Sequence, residues 1–129
     1  MSDKTIAQKM FLQKARSIAV LNPEAGSAAL LAQLPPGLVN IGDDDGAGTH
    51  DVVLIFAGSQ RELEQLLPRA RSQLAARGAL WVAYVKGTSP RRSDVHRDTI
   101  MTFAESIGLT GAAMISIDDD WSCLRLKIA

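Results

Sequence analysis

Blocks of apolar residues of two lengths divide this chain, and polar or glycine-containing segments separate them. Residues 4–14 set Ile6, Met10 and Phe11 at helical spacing with Lys4, Gln8 and Lys9 on other faces, which predicts a short amphipathic helix covering a sheet. Ser17-Ile18-Ala19-Val20-Leu21 is a continuous apolar run closed by Asn22-Pro23, the pattern of a strand buried on both faces. Pro23 suits a first helical turn and Glu24 suits its positive end, so a helix to about Leu34 follows, stopped by Pro35-Pro36-Gly37. A short second strand covers residues 38–41, and residues 42–48 read as a loop rich in aspartate and glycine.

Asp51-Val52-Val53-Leu54-Ile55-Phe56-Ala57 is the clearest strand, uninterrupted and rich in β-branched residues, and belongs at the centre of the sheet. Ser59, with Glu62 three residues on, has capping-box spacing. Leu63, Leu66 and Leu67 then mark one face of a helix reaching about Arg77, with Gly78 as its stop and Pro68 imposing a kink or break near Gln65. Residues 79–85 form another buried strand. Ser93 or Asp94 can cap a helix carrying Val95, Ile100, Phe103 and Ile107 and ending at Gly108. Strands over residues 112–117 and 121–128 are joined through Asp118-Asp119-Asp120, a link so tight that they must run antiparallel. Alternation of strand and helix builds an α/β fold, a mostly parallel sheet covered on both faces in three Rossmann-like layers and ended by this hairpin.

Composition narrows the class. A chain of 129 residues with 47% hydrophobic content closes one core, so residues 1–129 are read as a single domain. Lysine plus arginine and aspartate plus glutamate both total 14, and this balance gives no overall field for nucleic acid or an anionic membrane, so neither is an expected partner. The single cysteine, Cys123, excludes an internal disulfide and fits a reducing cytoplasm; its apolar strand predicts a buried side chain. The first residues lack the pattern of a cleaved leader, and no run has the length of a membrane span.

The order of elements resembles the S-adenosylmethionine-dependent methyltransferase fold, whose later half is strand, helix, strand, helix and a C-terminal antiparallel hairpin. The segments Asp51–Ser59, Leu66–Ala70, Gly78–Lys86 and Trp121-Ser122 also resemble a small bacterial family of domains without an agreed activity. The methyltransferase resemblance implies about six strands in the order 2-1-3-4-6-5. It also implies a glycine-rich turn after the first strand, where this chain has Asn22-Pro23-Glu24-Ala25-Gly26, and a ribose-binding acid after the second, where Asp43 stands. A helix and a strand of the complete fold have no counterpart between Ile41 and Asp51. The half of the fold that would hold a cofactor is eroded, so no cofactor is expected, with S-adenosylmethionine left open but disfavoured.

Two regions could carry function. Ligands of parallel sheets collect at the carboxyl ends of the strands where the topology switches, here between the first and third strands, flanked by Asn22, Glu24, Gly26, Asp43, Gly58 and Ser59. At the same sheet edge, Lys86, Ser89, Arg91 and Arg92 could bind an acidic group of a partner, with Trp121 as an aromatic platform. The bland readings are a vestigial cleft and a solvated basic loop with Trp121 packing a hairpin end. His50 and His96 lack ligand spacing and are expected to be surface or capping residues, so no metal is expected. No serine has a nucleophile-elbow pattern and no catalytic constellation stands out. The leading expectation is a non-catalytic domain acting through protein contacts or a weakly bound small ligand. The alternative is a small enzyme or nucleotide-binding protein using Asn22, Glu24 and Ser59. A further expectation is a homo-oligomer formed through an apolar edge strand over residues 112–117.

Overall fold

The structure, a computed structural model, describes residues 18–21, 39–41, 50–85, 96–116 and 121–128. The helices expected over residues 4–14 and 23–34 lie outside them. Six strands are formed: β1 (Ile18–Leu21), β2 (Val39–Ile41), β3 (His50–Ala57), β4 (Leu74–Val85), β5 (Leu109–Ser116) and β6 (Trp121–Ile128). Two helices are described, α1 (Gln60–Ser72) and α2 (Arg97–Ser106). The strands join in one sheet in the order β2-β1-β3-β4-β6-β5. The first four run parallel, and β6 is antiparallel to both β4 and β5.

β3 and β4 owe their central place to sequences without a polar break: all of Val52–Ala57 and Leu80–Val85 is buried. Alternate residues point to opposite faces. On one face Val53, Ile55, Leu80 and Val82 pack with Leu63, Leu67 and Ala70 of α1 and Ile100 and Ala104 of α2. The other face gathers Leu54, Phe56, Trp81, Trp121 and Cys123. The free thiol of Cys123 lies within this second cluster, as its strand context predicts.

The observed boundaries correct several expectations. α1 ends at Ser72, short of Arg77, because the next residue serves two elements: Gln73 caps the helix through its N–H and accepts the His50 N–H on its carbonyl at 2.8 Å. Leu74 then pairs with His50, and β4 starts there. Gly78 marks the register irregularity opposite the His50–Val52 stretch instead of a helix stop. α1 continues unbroken through Pro68. α2 begins after His96, whose backbone N–H is accepted by Thr99 Oγ1 at 3.0 Å. Ser93 and Asp94, the expected caps, lie outside the described residues. β5 starts at Leu109, three residues before its expected start, directly after Gly108 reverses the chain with φ of 83°. His50, expected at the surface or in a cap, is buried at the start of β3.

Candidate functional site

Parallel strands bring Leu21, Ile41, Ala57 and Val85 to one edge of the sheet, and the register Val85↔Trp121 and Ser116↔Ser122 adds the ends of the hairpin to it. At the centre of this edge the chain leaves β3 through Gly58 and Ser59 into α1. Ser59 is the N-cap: its backbone is extended and its Oγ accepts the Glu62 N–H at 3.2 Å. Glu62 turns back in return, and its Oε1 accepts the Gly58 N–H at 2.8 Å. A Cβ on Gly58 would stand 2.9 Å from that oxygen, so glycine is what permits the carboxylate to sit so close. A helix N-terminus ordinarily offers unpaired N–H groups to an anion. Here the protein's own carboxylate lies on that turn.

The other residues expected at the topological switch, Asn22, Glu24, Gly26 and Asp43, lie outside the described residues, as do Lys86, Ser89, Arg91 and Arg92. Trp121 is described, and its position corrects the reading of an open platform. It is 4% exposed and meets Phe56 edge to face, with ring centroids 5.7 Å apart and planes at 87°. The indole is a core ring under the carboxyl edge.

On the opposite face of the hairpin, a cross-strand row escaped the sequence reading. Tyr84 pairs with Ser122, and its hydroxyl donates to Met114 Sδ at 3.3 Å. Burial raises the Tyr84 pKa, while the Arg97 charge and a hydrogen bond with Ser122 oppose the shift. Only the antiparallel register brings these residues together, since nothing in their separate sequence segments marks them. Beside them α2 and β5 enclose a groove of about 570 Å³, lined by Arg97, Asp98, Met101, Ala112, Ala113 and Leu124. Among the described residues no three histidine, cysteine, aspartate or glutamate side chains group as metal ligands, and no helix is long and apolar enough to cross a membrane.

Residues 37–129 match a family described as "Protein of unknown function (DUF3052)". The chain belongs to the DUF3052 family. No curated protein matches the sequence significantly. Among solved structures, the DUF3052 chain is similar to the O-methyltransferase NcsB1 of neocarzinostatin biosynthesis, seen in complex with S-adenosylmethionine and a naphthoic acid. That likeness has a TM-score of 0.71 at 13% identity and covers 96% of this chain but 52% of NcsB1. The CcbJ methyltransferase from Streptomyces caelestis gives 0.62 at 13% identity, covering 92% of this chain and 91% of CcbJ. A ribosomal protein L11 methylase from Lactobacillus delbrueckii subsp. bulgaricus gives 0.59 at 12% identity, covering 94% and 73%. The DUF3052 chain thus spans about half the length of NcsB1. At such identities the likeness is one of fold, a mixed α/β sheet of the methyltransferase kind.

Proposed function

We propose that this DUF3052 protein is a non-catalytic domain of methyltransferase-like fold, acting through protein contacts or a weakly held small ligand at the carboxyl edge of its sheet. The observation that carries this reading is the turn from β3 into α1. Glu62 accepts the Gly58 N–H at 2.8 Å, and Ser59 accepts the Glu62 N–H. A ligand anion reaching this turn would have to displace a carboxylate already bonded there, which weakens its binding. The sequence supports the same view, since the residues that follow β1 are Asn22, Pro23 and Glu24 with a lone glycine, Gly26, and the stretch between Ile41 and Asp51 is too short in sequence for the helix and strand that the complete fold has there. In this reading Lys86, Ser89, Arg91 and Arg92 are the residues that meet a partner.

A second reading is favoured by NcsB1, whose structure contains S-adenosylmethionine. A small enzyme or nucleotide-binding protein would use Asn22, Glu24, Gly26, Asp43, Gly58 and Ser59 around the shortened crevice. Calorimetric titration of the purified protein with S-adenosylmethionine and S-adenosylhomocysteine separates the two. The non-catalytic reading expects no saturable heat at micromolar ligand. Saturable micromolar binding, lost on changing Glu24 or Asp43, would replace it with the second.

A further inference from the structure

β5 ends the sheet, and among the described residues it pairs with β6 alone. Its sequence, Leu109-Thr110-Gly111-Ala112-Ala113-Met114-Ile115-Ser116, holds no charge and no proline, the two devices that most often blunt an edge strand. Its one irregularity falls between Gly111 and Ala113, which leaves Ala113–Ser116 as a regular ladder. Ala112, Ala113 and Met114 are exposed, Met114 by 49%.

We propose that this edge pairs with a second copy of the same chain, antiparallel and centred on Met114, so that two sheets become one across a two-fold axis. An axis perpendicular to the sheet keeps each residue on its own face, so Met114 meets its equivalent and Ala113 meets Ile115 of the other copy. The groove beside β5 supplies the second half of the argument. Arg97 and Asp98 of α2 line it next to Gly111, Ala112 and Ala113, 60% and 79% exposed, with the weakly held contact of Arg97 Nε to Asp98 Oδ1 at 3.6 Å. A two-fold axis through β5 sets the α2 helices side by side on one face, and each Arg97 then faces the Asp98 of the other copy. A neighbouring cation and anion are self-complementary under such an operation, whereas a patch of one sign would repel itself. A dimer of ordinary size buries about 800 Å² per partner. That is roughly a tenth of the 6932 Å² surface. This inference is independent of the carboxyl edge and of any ligand there.

The test is the oligomeric state of the full chain by analytical ultracentrifugation over a wide concentration range. The expected result is a monomer–dimer equilibrium. Met114→Lys sets like charges against each other across the axis, and Ala113→Lys, made separately, sets a charge against Ile115 of the other copy; each weakens the dimer about tenfold or more, or about 1.4 kcal/mol. Arg97→Asp weakens it by repulsion, and Arg97→Asp combined with Asp98→Arg restores it. Circular dichroism confirms that each variant folds; Ala113→Lys replaces an exposed side chain and leaves the contact of Tyr84 with Met114 in place, so a folded monomer is its expected product. A chain that stays monomeric at the highest concentration overturns the proposal, and so does a dimer indifferent to the lysine substitutions.

Discussion

The carboxylate of Glu62 accepts the backbone N–H of Gly58 at 2.8 Å, while the hydroxyl of Ser59, between them in the chain, accepts the N–H of Glu62 at 3.2 Å. Two side chains thus satisfy two backbone donors at the one point where β3 gives way to α1. In a sheet of this kind that point borders the ligand crevice. The same residues that look like a binding turn in the sequence are spent on holding the helix in place.

Ser59→Ala and Glu62→Ala should therefore each lower stability by about 1 kcal/mol, the usual worth of a cap. The double variant should lose less than the sum, because the two side chains close a single turn. Denaturant unfolding of the four proteins checks this; strictly additive losses would mean that the two bonds act independently.

Burial of both indoles has an optical consequence. The chain contains two tryptophans, Trp81 at 1% and Trp121 at 4% exposure. Native fluorescence should be blue-shifted and poorly quenched by acrylamide, and Phe56→Ala should disturb it through Trp121. The substitution should cost about 3–5 kcal/mol as a buried aromatic removed from the core. Quenching that separates into one accessible and one protected indole would instead place Trp121 at the surface.

Alkaline pH is expected to weaken the fold. Burial is the main cause that raises the pKa of Tyr84, and burial alone raises that of Cys123 further above its ordinary value. The folded chain holds both protons at a pH where the unfolded chain has released them. Stability is then fully present below the unfolded values and falls as pH rises from them toward the folded ones. Ultraviolet titration is direct, because Tyr84 is the sole tyrosine. It should titrate above the ordinary phenol value, and Arg97→Gln should move it higher still by removing the charge that lowers it.

Gly108 adopts φ of 83° between α2 and β5, a conformation that costs L-residues about 1–2 kcal/mol. A Cβ there would also come within 3.3 Å of Arg71 Nη2. Gly108→Ala should destabilise by about that amount. Gly111→Ala poses a different problem, since its Cβ would collide with the Met101 thioether, the end of a flexible chain. Thermal unfolding of both variants should show the larger loss at Gly108, unless Met101 has nowhere to turn.

How much of this was legible in the sequence follows from which forces set each feature. The strands were, because unbroken apolar runs such as Val52–Ala57 and Leu80–Val85 can satisfy their backbones only inside a sheet. The end of α1 was not. Ala75-Ala76-Arg77 are strong helix formers, yet the Gln73 carbonyl accepts the His50 N–H and commits the chain to β4 before them, a tertiary bond overriding local propensity. The start of α2 escaped for another reason. Its cap contact comes from Thr99 reaching back to His96, whereas a search for helix starts looks for a short polar side chain at the cap itself. Of the candidate site, Ser59 and Glu62 were visible by spacing, but their use against Gly58 was not, because a capping box and an anion cradle share the same sequence signs. The contact of Tyr84 with Met114 needed the hairpin register, which no single segment contains.

Pro68 offers a test of how far the packing of α1 overrides its local chemistry. It lies inside the helix and exposed, between Leu67 and Ala70 of the buried stripe. Proline lacks the N–H that would bond to the carbonyl of Glu64, and its ring crowds that carbonyl, at a cost of about 3 kcal/mol in a helix interior. The helix nevertheless runs to Ser72, so the burial of Leu63, Leu67 and Ala70 against β3 and β4 must outweigh the defect. Pro68→Ala should restore the bond without touching the packed face and stabilise the protein by about 1–3 kcal/mol, read as a higher denaturant midpoint at unchanged slope. If stability stays the same or falls, the proline geometry is part of how α1 sits on the sheet and packs Leu67.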